Sequence, residues 1–124
     1  MECNNGMEFF NSISDVFKAI SDPLRLKILH VLQNGELCVS DLVANVNCSQ
    51  ANVSKHLGVL KRVGFVNSRR AGHNIYYSIQ DESVFQICSS VSKMIENRLE
   101  NEREMMSSSR QKYKIDANIS GMGK

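Results

Sequence analysis

Apolar residues recur at helical spacing in the first part of the chain. Residues 8–20 carry apolar side chains three or four positions apart, which predicts an amphipathic helix. The stripe consists of Phe9, Ile13, Phe17 and Ile20. A second helix is predicted to start at Pro23, behind the N-cap residue Asp22, and to run to about Gln33.

Two shorter helices follow with a turn between them. The first covers about residues 40–46, and the turn is Asn47-Cys48-Ser49. Ser49 is a suitable N-cap for the next helix, residues 50–63. The apolar positions of that helix lie on one side, at Val53, Leu57 and Leu60. Two short helices joined by a turn, the second polar on one face, predict a helix-turn-helix unit.

The period of the pattern changes after this unit. Apolar and polar positions alternate towards residue 79, which predicts a β-hairpin over residues 65–79 with its turn at residues 70–73. Tyr77 is predicted to face the core, and Tyr76 the opposite side. A hairpin directly after a helix-turn-helix is a wing. The predicted fold is mainly α with a small hairpin: a winged helix-turn-helix of five helices and a two-stranded wing.

A long last helix is predicted up to about Glu104, with Asp81 or Ser83 as its N-cap. One apolar stripe runs along it, through Val84, Ile87, Cys88, Val91, Ile95 and Leu99. The pattern divides the chain into a flexible arm over residues 1–7, a folded domain over residues 8–104 and a disordered tail over residues 105–124.

Positive charge is concentrated in one stretch of the sequence. The 124 residues carry 15 Lys and Arg against 13 Asp and Glu, so the net charge is only +2. No acidic residue lies between Asp41 and Asp81, whereas that stretch contains Lys55, Lys61, Arg62, Arg69 and Arg70. Charge of one sign confined to one structural unit indicates a surface for a polyanion.

Several classes of protein are disfavoured. No apolar run is long enough to span a membrane, and the N-terminus does not resemble a signal peptide, so we expect a cytoplasmic protein. The four cysteines form no C-x-x-C pair, which leaves zinc-finger and thioredoxin-like sites without support. The three histidines fall on separate predicted elements and no phosphate-binding glycine loop is present, so we do not expect an enzyme.

Four sequence blocks resemble one known family. In order they are SDPLRLKIL, GELCVSDL, SQANVSKHLGVLKRVGFV and RRAGHNIYYSI. They are similar to the ArsR/SmtB family of winged-helix transcriptional repressors, and the resemblance covers about residues 8–100. It implies a homodimer that binds operator DNA and is released by a small inducer. It also implies that the first and last helices form the dimer interface, with Phe9, Ile13, Ile87, Val91, Ile95 and Leu99.

The DNA-binding residues are predicted from the fourth helix and the wing. Opposite its apolar side, the helix carries small residues that permit close approach to DNA and cations that suit phosphates or guanine edges. The predicted helix contacts are Ser49, Gln50, Ala51, Asn52, Ser54, Lys55, Gly58, Lys61 and Arg62. The predicted wing contacts are Arg69, Arg70, His73, Asn74 and Tyr76. His56 is interpreted as a packed, hydrogen-bonded residue rather than a DNA contact.

The sensing site is less well defined by the sequence. Many arsenic- and cadmium-sensing members of the family carry two cysteines in the block that here contains Cys38 and Ser40. Cys38 and Cys48 flank opposite ends of a helix that rises about 10 Å, so they are not expected to share a metal. A thiophilic metal or metalloid held by Cys38 with Cys3 or Cys88, a thiol-redox switch, and a regulator without an inducer at these cysteines all stay open. Cys88 is favoured as a small buried core residue.

A different class of function is the alternative. The same winged helix would then bind another protein, and its basic surface would be incidental. The DNA-facing residues of the fourth helix and the wing argue against this alternative, and binding to the gene's own promoter discriminates the two.

Overall fold

The computed structural model describes residues 6–112, with side chains for residues 6–107, and there it contains five helices and three strands. The elements are α1 (Met7–Ile20), α2 (Pro23–Leu32), β1 (Leu37–Cys38), α3 (Val39–Val46), α4 (Gln50–Arg62), β2 (Val66–Ala71), β3 (Asn74–Ile79) and α5 (Ser83–Lys112). They form two compact units that divide after Glu82. The first holds α1 to β3, and the second holds α5. No helix within residues 6–112 is long and apolar enough to cross a membrane.

The predicted N-caps of α2 and α4 are confirmed. The Asp22 carboxylate accepts hydrogen bonds from the backbone N–H groups of Leu24 at 2.9 Å and Arg25 at 3.2 Å. Burial raises the pKa of Asp22, but these two bonds and the charge of Arg25 outweigh it, so the pKa lies below its ordinary value. The Ser49 hydroxyl accepts from the backbone N–H of Asn52 at 3.2 Å. Both caps satisfy N–H groups that a helix start leaves without a partner.

The core of the first unit comes from α2, α3, α4 and β2. Its fully buried side chains are Ile28, Leu29, Leu32, Leu42, Val53, Leu57, Leu60 and Val66. The predicted inward positions of α4 are therefore confirmed. Tyr77 is only half-buried, so its assignment to the core is wrong. The apolar stripe of α1 is mostly exposed in the single chain. Only Ala19 and Ile20 of this helix are buried.

The wing is a three-stranded sheet rather than the predicted two-stranded hairpin. The strand order is β1-β3-β2, and both pairings are antiparallel. In β1, Leu37 pairs with Tyr77, and Cys38 pairs with Tyr76. A strand of two residues is too short to show a period in the sequence, so only its tertiary partner reveals it.

The hairpin turn is tighter than predicted. β2 continues to Ala71, so Arg70 and Ala71 are strand residues, and only Gly72 and His73 form the loop. Gly72 has a φ of 65°, in the left-handed region that favours glycine. Two-residue loops of this kind match the twist of antiparallel strands. The loop therefore fixes the register in which Arg69 faces Tyr76.

Helix α5 is longer than predicted. It runs to Lys112, eight residues beyond the expected end at Glu104, so residues 105–112 of the predicted tail are helical. The prediction relied on the apolar stripe, which ends at Leu99. Beyond it the helix contains good intrinsic helix formers, and Arg103 pairs with Glu100 one turn away at 3.5 Å. Residues 1–5 of the predicted arm and residues 113–124 of the tail lie outside the described residues.

Candidate nucleic-acid interface

Helix α4 has one buried face and one exposed face. The buried side chains are Val53, His56, Leu57 and Leu60. Every α4 residue predicted to face DNA is exposed: Gln50, Ala51, Asn52, Ser54, Lys55, Gly58, Lys61 and Arg62. Ser49, at the N-cap, is exposed as well. The apolar spacing alone set this division, because residues three and four apart share a side of a helix.

Arg25 of α2 links the buried side of α4 to the end of α1. Its Nε donates a hydrogen bond to Nδ1 of His56 at 2.9 Å, and its Nη1 donates to the carbonyl oxygens of Lys18 and Ala19 at 3.2 Å. His56 is 8% exposed. The interpretation of His56 as a packed, hydrogen-bonded residue is therefore confirmed. The sequence did not identify Arg25 as its partner, because the two residues are 31 positions apart.

The amide side chains at the start of α4 are not equally available. The Asn52 amide donates to the Cys48 sulfur at 3.1 Å, on the turn that precedes the helix. Gln50 and Ser54 make no side-chain hydrogen bond within the described part of the chain. Of these three polar residues at the start of α4, Gln50 and Ser54 therefore offer polar groups that form no hydrogen bond within the described part of the protein.

Arg69 on the wing is engaged within the protein. Its Nε and Nη2 donate to the two carboxylate oxygens of Glu36 at 2.8 and 2.6 Å, and its guanidinium lies 5.0 Å from the centre of the Tyr76 ring. The hydrogen bond from Arg69 lowers the pKa of Glu36, and the same bond raises the pKa of Arg69. Sequence reasoning missed Glu36, since it lies 33 positions before Arg69 and outside the acid-free stretch. Arg70, His73 and Asn74 are exposed.

A second contact ties the wing to α4. The Lys61 ammonium donates to the Ser68 hydroxyl on β2 at 2.6 Å. Lys61 lies at the C-terminal end of α4, and Ser68 lies in the strand that follows. This hydrogen bond joins the C-terminal end of α4 to the strand that leads to the tip of the wing.

Cys38 occupies a different environment. It is the N-cap residue of α3, yet its side chain makes no capping bond. The thiol instead donates to Oδ2 of Asp41 at 3.1 Å and lies 3.1 Å from the Ser40 hydroxyl. It is 8% exposed. Ser40 stands where many arsenic- and cadmium-sensing members of the family carry a second cysteine. Its hydroxyl group thus lies beside the Cys38 thiol.

The other cysteines do not complete a site within the described residues. Cys48 is half-buried. Cys88 is half-buried as well, less than the favoured core assignment expected, and burial raises the pKa of its thiol. Cys3 lies outside the described residues. No group of three His, Cys, Asp or Glu side chains in the part that the structure describes is placed to hold a metal ion.

Comparison with known proteins agrees with this architecture. Residues 22–68 match the model of the bacterial regulatory protein, arsR family. A cadmium resistance transcriptional regulatory protein CadC homolog of Staphylococcus aureus is 45% identical over 76 residues, which cover 60% of this chain and 63% of that protein. This chain thus spans less than two thirds of that relative. The transcriptional repressor SdpR of Bacillus subtilis is 42% identical over 67 residues, or 54% of this chain and 74% of that protein.

A solved structure extends the likeness to the fold. It is the homodimeric winged helix-turn-helix DNA-binding domain Mb0332 of Mycobacterium bovis, a possible ArsR-family regulator. The TM-score is 0.68 at 28% identity, with 79% of this chain and 91% of that chain covered.

The fold and the comparisons together define the class: a winged helix-turn-helix transcriptional regulator. The chain belongs to the ArsR family. Because these relatives are transcriptional regulators, the expectation that the chain is not an enzyme is confirmed.

Proposed function

We propose that this protein is a homodimeric repressor that binds operator DNA in sequence-specific fashion and is released by an inducer. The observation that carries the proposal is the exposed face of α4, where every predicted contact is exposed and the apolar positions are buried. Two relatives have names that fit this proposal: the transcriptional repressor SdpR and the cadmium resistance transcriptional regulatory protein CadC homolog. We propose that it acts in the cytoplasm, where operator DNA would be available to it.

The proposed contacts divide by chemistry. Lys55 and Arg62 supply charge to phosphates, which strengthens binding to every sequence. Gln50 and Ser54 reach base edges in the major groove, where a side-chain amide suits adenine. Gly58 and Ala51 leave the backbone of α4 close to the groove. Asn52 contributes to base recognition only when its amide gives up the hydrogen bond to the Cys48 sulfur.

On the wing, the exposed residues Arg70, His73 and Asn74 approach the DNA backbone or the minor groove. Arg69 and Tyr76 hold a different position, because Glu36 already neutralises the guanidinium that stacks on the tyrosine ring. We assign to Arg69 and Tyr76 the task of orienting the wing, and to Arg70 the stronger attraction for phosphate.

The test of DNA binding compares two exposed lysines. Lys55 lies on the proposed DNA face, and Lys27 is exposed on α2. Titration of labelled DNA from the gene's own promoter, followed by fluorescence anisotropy, is expected to show that Lys55→Ala lowers the salt slope by about one per subunit. Lys27→Ala should leave it unchanged. Equal slopes would contradict the assignment and favour a protein-binding winged helix.

The homodimer proposal rests on apolar side chains that the single chain leaves exposed. They lie on α1 at Phe9 and Ile13, and on α5 at Val91, Ile95 and Leu99, with Ile87 half-buried. A second copy would cover these side chains, because apolar residues exposed along a helix mark interfaces. Sedimentation at micromolar concentration should give a dimer for the natural sequence and a monomer for Ile95→Glu. A monomeric natural protein would contradict the proposal.

We place the response to an inducer at Cys38. A thiophilic metal or metalloid, or an oxidant, would act there with Cys3 or Cys88 as the second sulfur. The ladder between β1 and β3 supports this proposal, since Cys38 pairs with Tyr76, whose ring lies under Arg69. A bond formed at the Cys38 sulfur would replace its contacts with Asp41 and Ser40 and shift the strand that supports the wing.

A further inference from the structure

A cleft lies among the first, second and fourth helices, away from the exposed face at the start of α4. Its volume is about 460 Å³, within the range of roughly 300–1,000 Å³ that is typical of small-molecule sites. The lining residues are Asp15, Lys18 and Ala19 of α1, Arg25 of α2, and Val59, Arg62 and Val63 at the end of α4. All of them belong to the first structural unit.

The cleft is positively charged. Its lining contains three cationic side chains, Lys18, Arg25 and Arg62, and one carboxylate, that of Asp15. Within residues 6–107, neither Lys18 nor Arg62 forms an ion pair or a side-chain hydrogen bond, so both charges are free to meet a ligand. Ala19, Val59 and Val63 add an apolar wall. Excess positive charge beside an apolar wall attracts an anion that has a small hydrophobic body.

Arg25 connects this cleft to α4. Its Nε and Nη1 are occupied by His56 and by two α1 carbonyl oxygens. Nη2 makes no hydrogen bond in the part of the chain that the structure describes, which leaves its two donors for a ligand. Guanidinium groups bind carboxylate and phosphate oxygens well, because the hydrogen bonds are assisted by charge. A ligand on Arg25 would thus act on the residue that positions His56.

We propose that the cleft binds a small organic anion, with its oxyanion group on Lys18, Arg25 and Arg62 and its apolar part on Val59 and Val63. The consequence for regulation rests on the proposed function: an occupied Arg62 no longer attracts a DNA phosphate, so the anion weakens DNA binding. The binding itself is a property of the DNA-free protein and is tested without DNA.

The experiment is an NMR titration of the 15N-labelled full chain with benzoate at constant ionic strength. Benzamide is the neutral control of the same shape. Benzoate should give saturable shifts at the backbone amides of Ala19, Val59 and Val63, and benzamide should not. Shifts that do not saturate, or that spread over the wing, would overturn the proposal.

Three variants with unchanged helix propensity at exposed positions sharpen the test. Lys18→Met should weaken benzoate binding about two- to fivefold, the range expected for one partly exposed ion pair. Asp15→Asn should strengthen it by a similar factor, since it removes the like charge. Lys27→Met, which lowers the net charge equally outside the cleft, should leave it unchanged. Equal effects of Lys18→Met and Lys27→Met would overturn the site.

A second arm separates this proposal from the proposed function. Benzoate should raise the Kd of the natural protein for promoter DNA, and it should do so less in Lys18→Met than in Lys27→Met. If the protein fails to bind DNA while the NMR shifts persist, the repressor proposal falls and the cleft stands. If DNA binding is normal and benzoate gives no saturable shift, the cleft proposal falls alone.

Discussion

Helices α4 and α3 differ in what the side chain of the N-cap residue does. Ser49 caps α4 through its side chain, so the helix is satisfied and its polar face is left exposed. Cys38 occupies the same position on α3 without capping it, and its thiol contacts Asp41 and Ser40 instead. The exposed polar face of α4 is formed by one helix alone. The environment of the Cys38 thiol is instead formed by several residues that contact it.

This difference explains why one site follows from the sequence and the other does not. A helix face depends only on the 3.6-residue period, which the order of residues fixes. A ligand site needs side chains that converge from separate elements, and their distances depend on the whole fold. The four predictions below test this contrast between a face and a convergent site.

The largest effect is expected inside α4. Leu57 is fully buried, so Leu57→Ala should lower the free energy of unfolding by about 2–5 kcal/mol, through lost apolar contact and the cavity left behind. Lys55→Ala, two positions away on the exposed face, should change it by about 0.5 kcal/mol or less. Urea unfolding at one fixed protein concentration measures both. Similar losses for the two variants would mean that the faces of α4 are misassigned.

Removal of the Cys38 sulfur should abolish the response to inducer. An inducer that prefers the DNA-free dimer about 100-fold supplies about 2.7 kcal/mol of coupling. Cys38→Ser should bind promoter DNA as the natural protein does, yet stay bound when arsenite, cadmium or a thiol oxidant is added. Cys48→Ser is the matched control and should still be released. Release of Cys38→Ser at the natural inducer concentration would place the sensing site elsewhere.

Discrimination between DNA sequences should depend on the start of α4. Gln50→Ala should reduce the preference for the operator over unrelated DNA by about 1–3 kcal/mol, because a bidentate amide contact to a base is lost. Gln33→Ala, at the exposed C-cap of α2, is the control. Competition binding at one salt concentration gives the preference directly. An unchanged preference in Gln50→Ala would move base recognition to other residues of the helix.

The smallest effect concerns the wing. Arg69 holds the pKa of Glu36 below its unfolded value, so the stabilisation is present above about pH 4.3 and is lost as the pH falls through the folded pKa. Glu36→Gln should therefore have a lower Tm than the natural protein near pH 7, and the gap should close in acid. Glu102→Gln on α5 should show no such closing gap. A gap independent of pH would show that the ion pair does not carry the effect.

Much of the fold was predictable because its signals are local. The two caps, the buried positions Val53, Leu57 and Leu60, and the exposed polar face of α4 all follow from spacing within one helix. The late end of α5 was missed, since no apolar stripe marks residues 105–112. The half-buried state of Tyr77 was missed because alternation along a strand shows on which side of the sheet a side chain lies. It does not show how completely other residues cover that side chain.

What the sequence by itself determined was the order of the five helices and the hairpin, the division of α4 into two faces, and the family. These depend on short-range periods and on motifs that lie within a few residues of each other. Only the tertiary structure decided that β1 joins the wing, that Glu36 forms an ion pair with Arg69, and that Arg25 donates a hydrogen bond to His56. The last two contacts join residues more than 30 positions apart. No local pattern encodes such a pairing, because the fold brings the partners together only after the elements have packed.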